Sequence, residues 1–417
     1  MSTDLPEAAN APIEPSSIHA NPLIDWLIVV GWEITEAIEL VAALARTMNR
    51  AGMSVARLRV SLRTLHPQFI GIAYTWHRAT DAVEVTRPPH SILLEEAYMQ
   101  SPLAAIYEGA GAIRRRLDTP DPRLDYPILV DFKAEGITDY VAMPLRFADG
   151  RISALTLGSD RPGGFFVNEL AMIYEALPVL ARICEAHALR MTVQTVLDTF
   201  LGPASGERVL KGLIRRGDAE DIHAVLWYSD LRNSTGLADR LPRRTYLKLL
   251  NDYFDCTAGA VVDRGGQVLS FIGDAVFAIF PIGASGVAVE DSPAYAAAIA
   301  AATEAAENAV FRLAELNTTR RQSARPPLAF GVALHLGDVS YGNIGVEQRL
   351  DFTVIGAAAN EVARLARLCK TLNRPILVSA ALARATPVPF VSLGVHRLRG
   401  VRTAQEVFAP AITEQAG

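Results

Sequence analysis

SFIGDAVFAIF, residues 270–280, sets the pair Gly273-Asp274 between two apolar runs. Both runs have strand character, and a two-residue connection of this composition predicts a β-hairpin with Asp274 on its turn, at the end of a buried sheet. Earlier in the chain, HAVLWYSDLRNST (223–235) follows the same logic: an apolar strand runs from Ala224 to Tyr228, and Asp230 appears at its end, just before a helix. Taken singly, either Asp reads as a turn or cap residue. Two carboxylates delivered by two strands, however, suit a pair of divalent cations.

Working outward, the pattern is strand 223–230, helix 242–263, hairpin 267–281, helix 291–316, strand 328–336, hairpin 338–345, helix 356–371 and several short closing strands. Hairpins rather than β-α-β crossovers predict an α+β domain with a mostly antiparallel sheet. The polar, Pro-rich SARPP (323–327) reads as a loop.

Two segments complete the constellation: VALHLGDVSYGNIG (332–345) and TVIGAAANEVARLARL (353–368). In the second, Gly356, Asn360 and Arg364 follow one another at four-residue steps. Positions i and i+4 share a helix face, so the Asn amide and the Arg guanidinium converge on one bound group. With Asp230, Asp274 and GNIG, this helix resembles that of class III nucleotidyl cyclases. The resemblance covers residues 220–410, including HRLRGVRTAQEVFA (396–409), read as a closing strand.

The resemblance implies a ferredoxin-like catalytic domain that turns a nucleoside triphosphate into a 3′,5′-cyclic nucleotide and pyrophosphate. In that reaction the ribose 3′-hydroxyl loses its proton and attacks the α-phosphate while pyrophosphate leaves in line, so negative charge builds on an anionic substrate. By resemblance, Asp230 and Asp274 hold two Mg2+ or Mn2+ ions per active site, one activating the hydroxyl and one on the β- and γ-phosphates. Asn360 orients the ribose, and Arg364 stabilises the α-phosphate in the transition state, where a planar, permanently charged fork suits better than Lys. Arg399, in LRG (398–400), aligns with a basic residue that contacts the triphosphate in relatives, and reads equally well as an exposed strand Arg. The backbone after Asp230, entering a helix around Thr235, offers free N–H groups to phosphate oxygens.

Two departures concern the base and the phosphate loop. Many adenylyl cyclases carry a Lys three residues before the Gly of the Gly-Asp turn, where this chain has Ser270. Thr353, three residues before Gly356, resembles a bacterial subgroup that contacts adenine through Thr. Hydroxyls at both positions donate or accept, so neither demands adenine over guanine. After the first Asp, Asn233-Ser234-Thr235 replaces the Gly and aromatic residue of the common GFT. Two readings follow. One is an adenylate cyclase acting on ATP, with a guanylate cyclase acting on GTP as the alternative. The other is a cyclase-like module that has lost turnover and signals by binding nucleotide or a partner. The complete set Asp230, Asp274, Asn360 and Arg364 favours an enzyme, and Ser270 speaks for the binding module. In the family, the two carboxylates and the Asn/Arg helix come from different domains. One such domain per chain therefore implies a homodimer with active sites at the interface.

At 417 residues the chain is long enough for two domains with separate cores. A formal net charge of −5 lacks the basic excess of a nucleic-acid binder, which excludes nucleic acid as a partner. Cys184, Cys256 and Cys369 show no CxxC spacing, which argues against a zinc site or a disulfide framework and fits a reducing cytoplasm. MSTDLPEAANAPIEPSSIHANP (1–22) has neither a basic nor an apolar signal region and reads as a disordered tail. In residues 23–47, Asp25, Glu33, Glu36 and Glu39 interrupt the apolar run short of the ~20 residues that span a bilayer. The pattern predicts an amphipathic helix and no membrane span.

The N-terminal half reads as a helix ending at Gly52, a strand over 54–67, two strands around Ala148-Asp149-Gly150 in 140–160, and a long helix over 163–192. Asn168 is a candidate cap and Pro178 a candidate kink in that helix. This order, with DRPGGF before the last helix, resembles a GAF-type sensor domain, an outline that PAS domains share. The resemblance implies a small ligand or partner whose identity the sequence leaves open. Leu189, Val193, Val196 and Phe200 form an apolar seam, suited either to packing on their own domain or to pairing two chains. The expected division is a disordered tail 1–21, a GAF-like α/β sensor 22–178, a helical linker 179–219, a cyclase domain 220–411 and a tail 412–417.

Overall fold

The computed structural model describes residues 21–285 and 292–411. The tail expected at 412–417, and that at 1–21 apart from Asn21, lie outside the described residues. The chain divides into two compact units, Met1–Val196 and Leu197–Gly417.

In the first unit Asn21 belongs to the fold: its Oδ1 accepts from the Leu23 N–H at 3.0 Å and caps α1 (Pro22–Val29). A 3₁₀ turn, Gly31–Glu33, separates α1 from α2 (Ala37–Arg50). The single amphipathic helix expected over 23–47 is thus two helices. Glycine is a weak helix former, and the exposed Trp32 and Glu33 carry no apolar stripe across the break. There follow β1 (Arg57–Arg63), β2 (Gly71–His77), β3 (Ala82–Thr86), α3 (Glu96–Met99), α4 (Pro102–Tyr107), β4 (Ile113–Arg116), α5 (Ile128–Ala134), β5 (Asp139–Arg146), β6 (Ile152–Ser159) and α6 (Val167–Leu201). The strand expected over 54–67 is confined to β1.

These six strands form one antiparallel sheet in the order β3-β2-β1-β6-β5-β4. The β5-β6 hairpin turns at Ala148-Asp149-Gly150, as the spacing predicts, with the Phe147 N–H donating to the Arg151 carbonyl at 2.9 Å. β1 alternates: Leu58, Val60 and Leu62 join the core with residues of α1, α2 and α6. The opposite face carries a second cluster that includes Ile106 of α4, Phe132 of α5 and Tyr140 of β5. α6 starts at Val167, so Asn168 lies inside it and is not its cap. Glu169 takes that role by folding back to accept from the Phe166 N–H at 2.7 Å, in the manner of a capping box. Pro178 lies inside α6 without ending it.

The second unit runs α7 (Pro203–Leu210), β7 (Ala219–Leu231), α8 (Ser234–Arg240), α9 (Arg243–Asp263), β8 (Gln267–Ile272), β9 (Ala275–Ala284), α10 (Pro293–Gln322), β10 (Phe330–Val346), β11 (Arg349–Ile355), α11 (Ala357–Thr371), β12 (Ile376–Ser379), α12 (Ala380–Arg384), β13 (Phe390–His396) and β14 (Gln405–Pro410). Its sheet has the order β13-β14-β12-β10-β7-β9-β8, with β11 paired to β10. The segment β7-α9-β8-β9-α10-β10 therefore folds as a split β-α-β unit of ferredoxin-like order. β10 and β12 are parallel, a correction to an expectation of hairpins throughout, whereas the other pairings are antiparallel.

A second correction concerns residues 328–345. The hairpin expected at 338–345 is the continuation of one long strand, β10, and the chain reverses after Val346, which pairs with Arg349. Glycines that read as turn signals serve close packing instead. A Cβ on Gly342 would lie 2.0 Å from the Asp218 carbonyl oxygen, so only glycine lets the two backbones approach. A third concerns 396–409, where β13 ends at His396 and a loop precedes β14.

Both faces of the second sheet are covered. Val225 and Trp227 of β7 pack with residues of α9 and α10, whereas Ala224 and Leu226 pack with Val362, Leu365 and Cys369 of α11. Each fully buried aliphatic of this kind contributes about 1.5–3 kcal/mol. The free cysteines Cys184, Cys256 and Cys369 are all buried. Among the described residues, no helix is long and apolar enough to cross a membrane.

Candidate active site

β7 alternates through to its end, so Asp230 falls on the face of Leu226 and Tyr228, toward α11, while Ser229 faces Tyr253 of α9 and accepts from its hydroxyl at 3.2 Å. Asp230 pairs in register with Ala275 on one side and Gly331 on the other. Ala275 is the first residue of β9 and pairs with Ile272, leaving Gly273 and Asp274 as a two-residue turn. Gly273 has φ +66°, at the first central position where a hairpin turn of this type favours glycine. The turn thus projects Asp274 beside the end of β7.

The two carboxylates come within hydrogen-bonding reach of each other. Burial first, and then the charge of Asp274, push the Asp230 carboxyl above the usual carboxylate range, and Arg367 of α11 partly offsets this. Burial and the same acidic pair raise the Tyr228 phenol, and burial with Asp274 raises that of Tyr246 on α9. After β7, Arg232 donates to the carbonyls of Cys369 and Arg374, both at 2.9 Å, and ties the segment behind Asp230 to the end of α11.

The other expected site residues are dispersed. Asn360 is exposed on α11, its amide 3.4 Å from the Gly356 carbonyl. Arg364, one turn further on, makes no ion pair or side-chain hydrogen bond among the described residues. Thr353 lies on β11 opposite Gly342, and Ser270 on β8 opposite Phe277 at an irregularity in the β8-β9 pairing. Thr235 is exposed in the first turn of α8, which Asn233 enters in the left-handed conformation at φ +60°. Arg399 is exposed in the loop between β13 and β14, where Val401 N–H donates to the Leu398 carbonyl; it is a turn residue rather than a strand residue. The structure therefore joins Asp230 to Asp274, and among the described residues no ion pair or side-chain hydrogen bond ties Asn360, Arg364 or Arg399 to them.

No family model matches the chain. An uncharacterised protein of Mycobacterium tuberculosis is 34% identical over 195 residues, 46% of this chain and 32% of its own length. An adenylate cyclase of Anabaena cylindrica is 26% identical over 176 residues, 42% of this chain and 33% of its own length. Over part of its length the chain is thus similar to adenylate cyclases. It spans about a third of the length of these curated relatives. Among solved structures, a bacterial light-regulated adenylyl cyclase is 26% identical, covering 46% of this chain and 91% of that one at a TM-score of 0.39.

Three side chains near the carboxylates escaped the reading of the sequence: Arg367, Tyr228 and Tyr246. Arg367 had a signal, since it lies seven residues after Asn360 and three after Arg364, on the same helical stripe. Tyr228 passed as one more apolar strand residue, and Tyr246 is brought to Asp274 by the packing of α9 alone. Among the described residues, no cluster of three or more His, Cys, Asp or Glu side chains assembles to hold a metal. The acidic donors at this site are two. They are crowded, partly desolvated and balanced by one exposed cation, a donor set that suits divalent cations.

Proposed function

We propose that the chain is a nucleotidyl cyclase converting ATP to 3′,5′-cyclic AMP and pyrophosphate, and that it works as a cytoplasmic homodimer under the control of a GAF-like first unit. The observation that carries this reading is the juxtaposition of Asp230 and Asp274 at adjoining strand ends, with the Asp230 carboxyl raised by its neighbour. Asp230 and Asp274 would hold Mg2+ or Mn2+, two per site, which supply activation of a hydroxyl and neutralisation of phosphate charge.

The remaining groups bind and orient. Asn360 aligns the ribose and Arg364 meets the α-phosphate, with Arg399 and the backbone around Thr235 holding the triphosphate. Ser270 and Thr353 face the base. A site completed by a second chain is supported by Arg364, which makes no ion pair or side-chain hydrogen bond among the described residues, and by Asn360, whose amide reaches only the Gly356 carbonyl. The seam Leu189, Val193, Val196 and Phe200 adds support: its exposures of 48%, 48%, 41% and 79% leave it free to pair.

Purified chain incubated with ATP or GTP and Mn2+, with products separated by chromatography, tests class and substrate together. Cyclic AMP from ATP is expected. Product from GTP alone would make the chain a guanylate cyclase, since the hydroxyls of Ser270 and Thr353 do not by themselves demand adenine. Nucleotide binding without product would reduce it to a signalling module.

A further inference from the structure

β1 sends Arg57, Arg59 and Ser61 to the face of the first sheet opposite the core formed with α1, α2 and α6. The register sets His77 beside Arg57, Thr75 beside Arg59 and Ala73 beside Ser61, with Gly158, Thr156 and Ala154 on the other side. Glu84 and Thr86 lie one strand further out, opposite Thr75 and Ala73. Tyr107, Phe132 and Tyr140 gather on the same side as Arg57 and Arg59.

Half-buried guanidiniums in a folded protein ordinarily meet a carboxylate. Other arginines of this unit do: Arg114 pairs with the buried Asp139 at 2.7 Å, and Arg115 with Asp125 at 2.6 Å. Among the described residues, Arg57 and Arg59 form no ion pair. Arg57 makes no hydrogen bond through its guanidinium and stands 5.0 Å over the Phe132 ring. Arg59 gives one hydrogen bond, from Nε to Ser61 Oγ at 3.2 Å. Glu84 and Glu135 influence Arg57 only from beyond ion-pairing distance.

Burial, and for Arg57 also the charge of Arg59, lower both pKa values, but an arginine stays charged in spite of this. The unpaired nitrogens of both residues keep contact with solvent, whereas Thr86 Oγ1, on the same side of the sheet, is sealed and has no partner. Burial pushes the Tyr107 and Tyr140 phenols up to about 12, so both stay neutral, and they meet the hydroxyls of Ser61 and Thr156. The face therefore presents two positive charges beside aromatic rings, with no carboxylate in pairing range.

We propose that this face binds a small organic anion, with its carboxylate or phosphate group held by Arg57 and Arg59 and its body beside the half-buried Tyr107. Planar forks on alternate residues of one strand suit two-point recognition of an oxyanion. The claim is one of binding by the first unit, independent of the cyclase assay.

Calorimetric titration and thermal unfolding of the full chain test it, with inorganic phosphate and benzoate as probes at ionic strength matched with chloride. Binding of at least one probe and a raised unfolding midpoint are expected; which probe binds separates a phosphoryl from a carboxylate group. Arg57→Gln and Arg59→Gln should each weaken that binding by about tenfold or more. Without the probe, each variant should be at least as stable as the parent, because it removes a desolvated charge that lacks a partner. Arg46→Gln, which alters an exposed pair with Asp81, should bind as the parent does. No binding of either probe overturns the proposal. So does binding that both Gln variants retain, or a Gln variant that loses stability or fails to fold, since these place the two arginines in packing alone.

Discussion

In each sheet a pair of like charges stands together: the acidic pair of the second is only partly offset by Arg367, and the basic pair of the first has no ion pair among the described residues. In the second unit Asp230 and Asp274 meet at strand ends, and in the first Arg57 and Arg59 stand mid-strand. Both pairs are half-buried, and both oppose folding by self-repulsion and desolvation. They differ in how they are built. The carboxylates lie at a hairpin turn and a strand terminus, where backbone geometry presents them directly. The guanidiniums lie within a regular strand and are set apart only by what fails to pack against them. A like-charge pair marks a site for an opposite charge in either case, but only the first kind announces itself by position.

The largest expected effect bears on the carboxylate half. Asp230→Ala or Asp274→Ala should each lower turnover with Mn2+ by more than about 100-fold, with circular dichroism unchanged. A near-normal rate in either would break the comparison, because the acidic pair would then be structural. Next comes the division of the site between chains. Asp274→Ala and Arg364→Ala should both be inactive alone, yet an equal mixture should regain roughly one quarter of parental activity, since about half the dimers are mixed and each has one intact site of two. No recovery after subunit exchange, confirmed with differently tagged chains, would return Arg364 to its own chain.

A smaller effect concerns the base. A Lys ammonium can donate to adenine N1 but meets a donor at guanine N1, so Ser270→Lys should raise the ATP-to-GTP activity ratio by about tenfold. An unchanged ratio would remove Ser270 from the base pocket.

The smallest effect sharpens the comparison by stability. The raised carboxyl of Asp230 means that the folded chain binds its proton more tightly than the unfolded chain does. That contribution is present at acid pH and is lost as pH rises through the raised folded value. In chelator, the parent should therefore lose stability relative to Asp230→Asn as pH rises above the usual carboxylate range. Mn2+ should restore the parent and leave the variant unmoved. Parallel pH curves for the two proteins would show that the pair is not strained.

Much of the second unit was legible because its signals are local. The Gly273-Asp274 turn, the strand ending at Asp230 and the helix over α11 follow from alternation, turn chemistry and a four-residue step, all set by neighbouring residues. The break between α1 and α2 and the start of α6 at Val167 were not, because a weak helix former and a Glu that folds back are decided by small differences among neighbours.

The sequence alone determined which carboxylates stand at strand ends, which residues share the α11 face, and that the second sheet is mainly antiparallel. Tertiary structure alone decided that β10 runs straight through Gly342, where Asp218 leaves no room for a side chain, and that Arg367 rather than Arg364 faces Asp230 in its own chain. It also decided that Arg57 and Arg59 lack an acid while Arg114 has one. Periodicity is written by backbone geometry over a few residues. The presence or absence of a charge partner depends on segments far apart in the chain, and no local pattern records it.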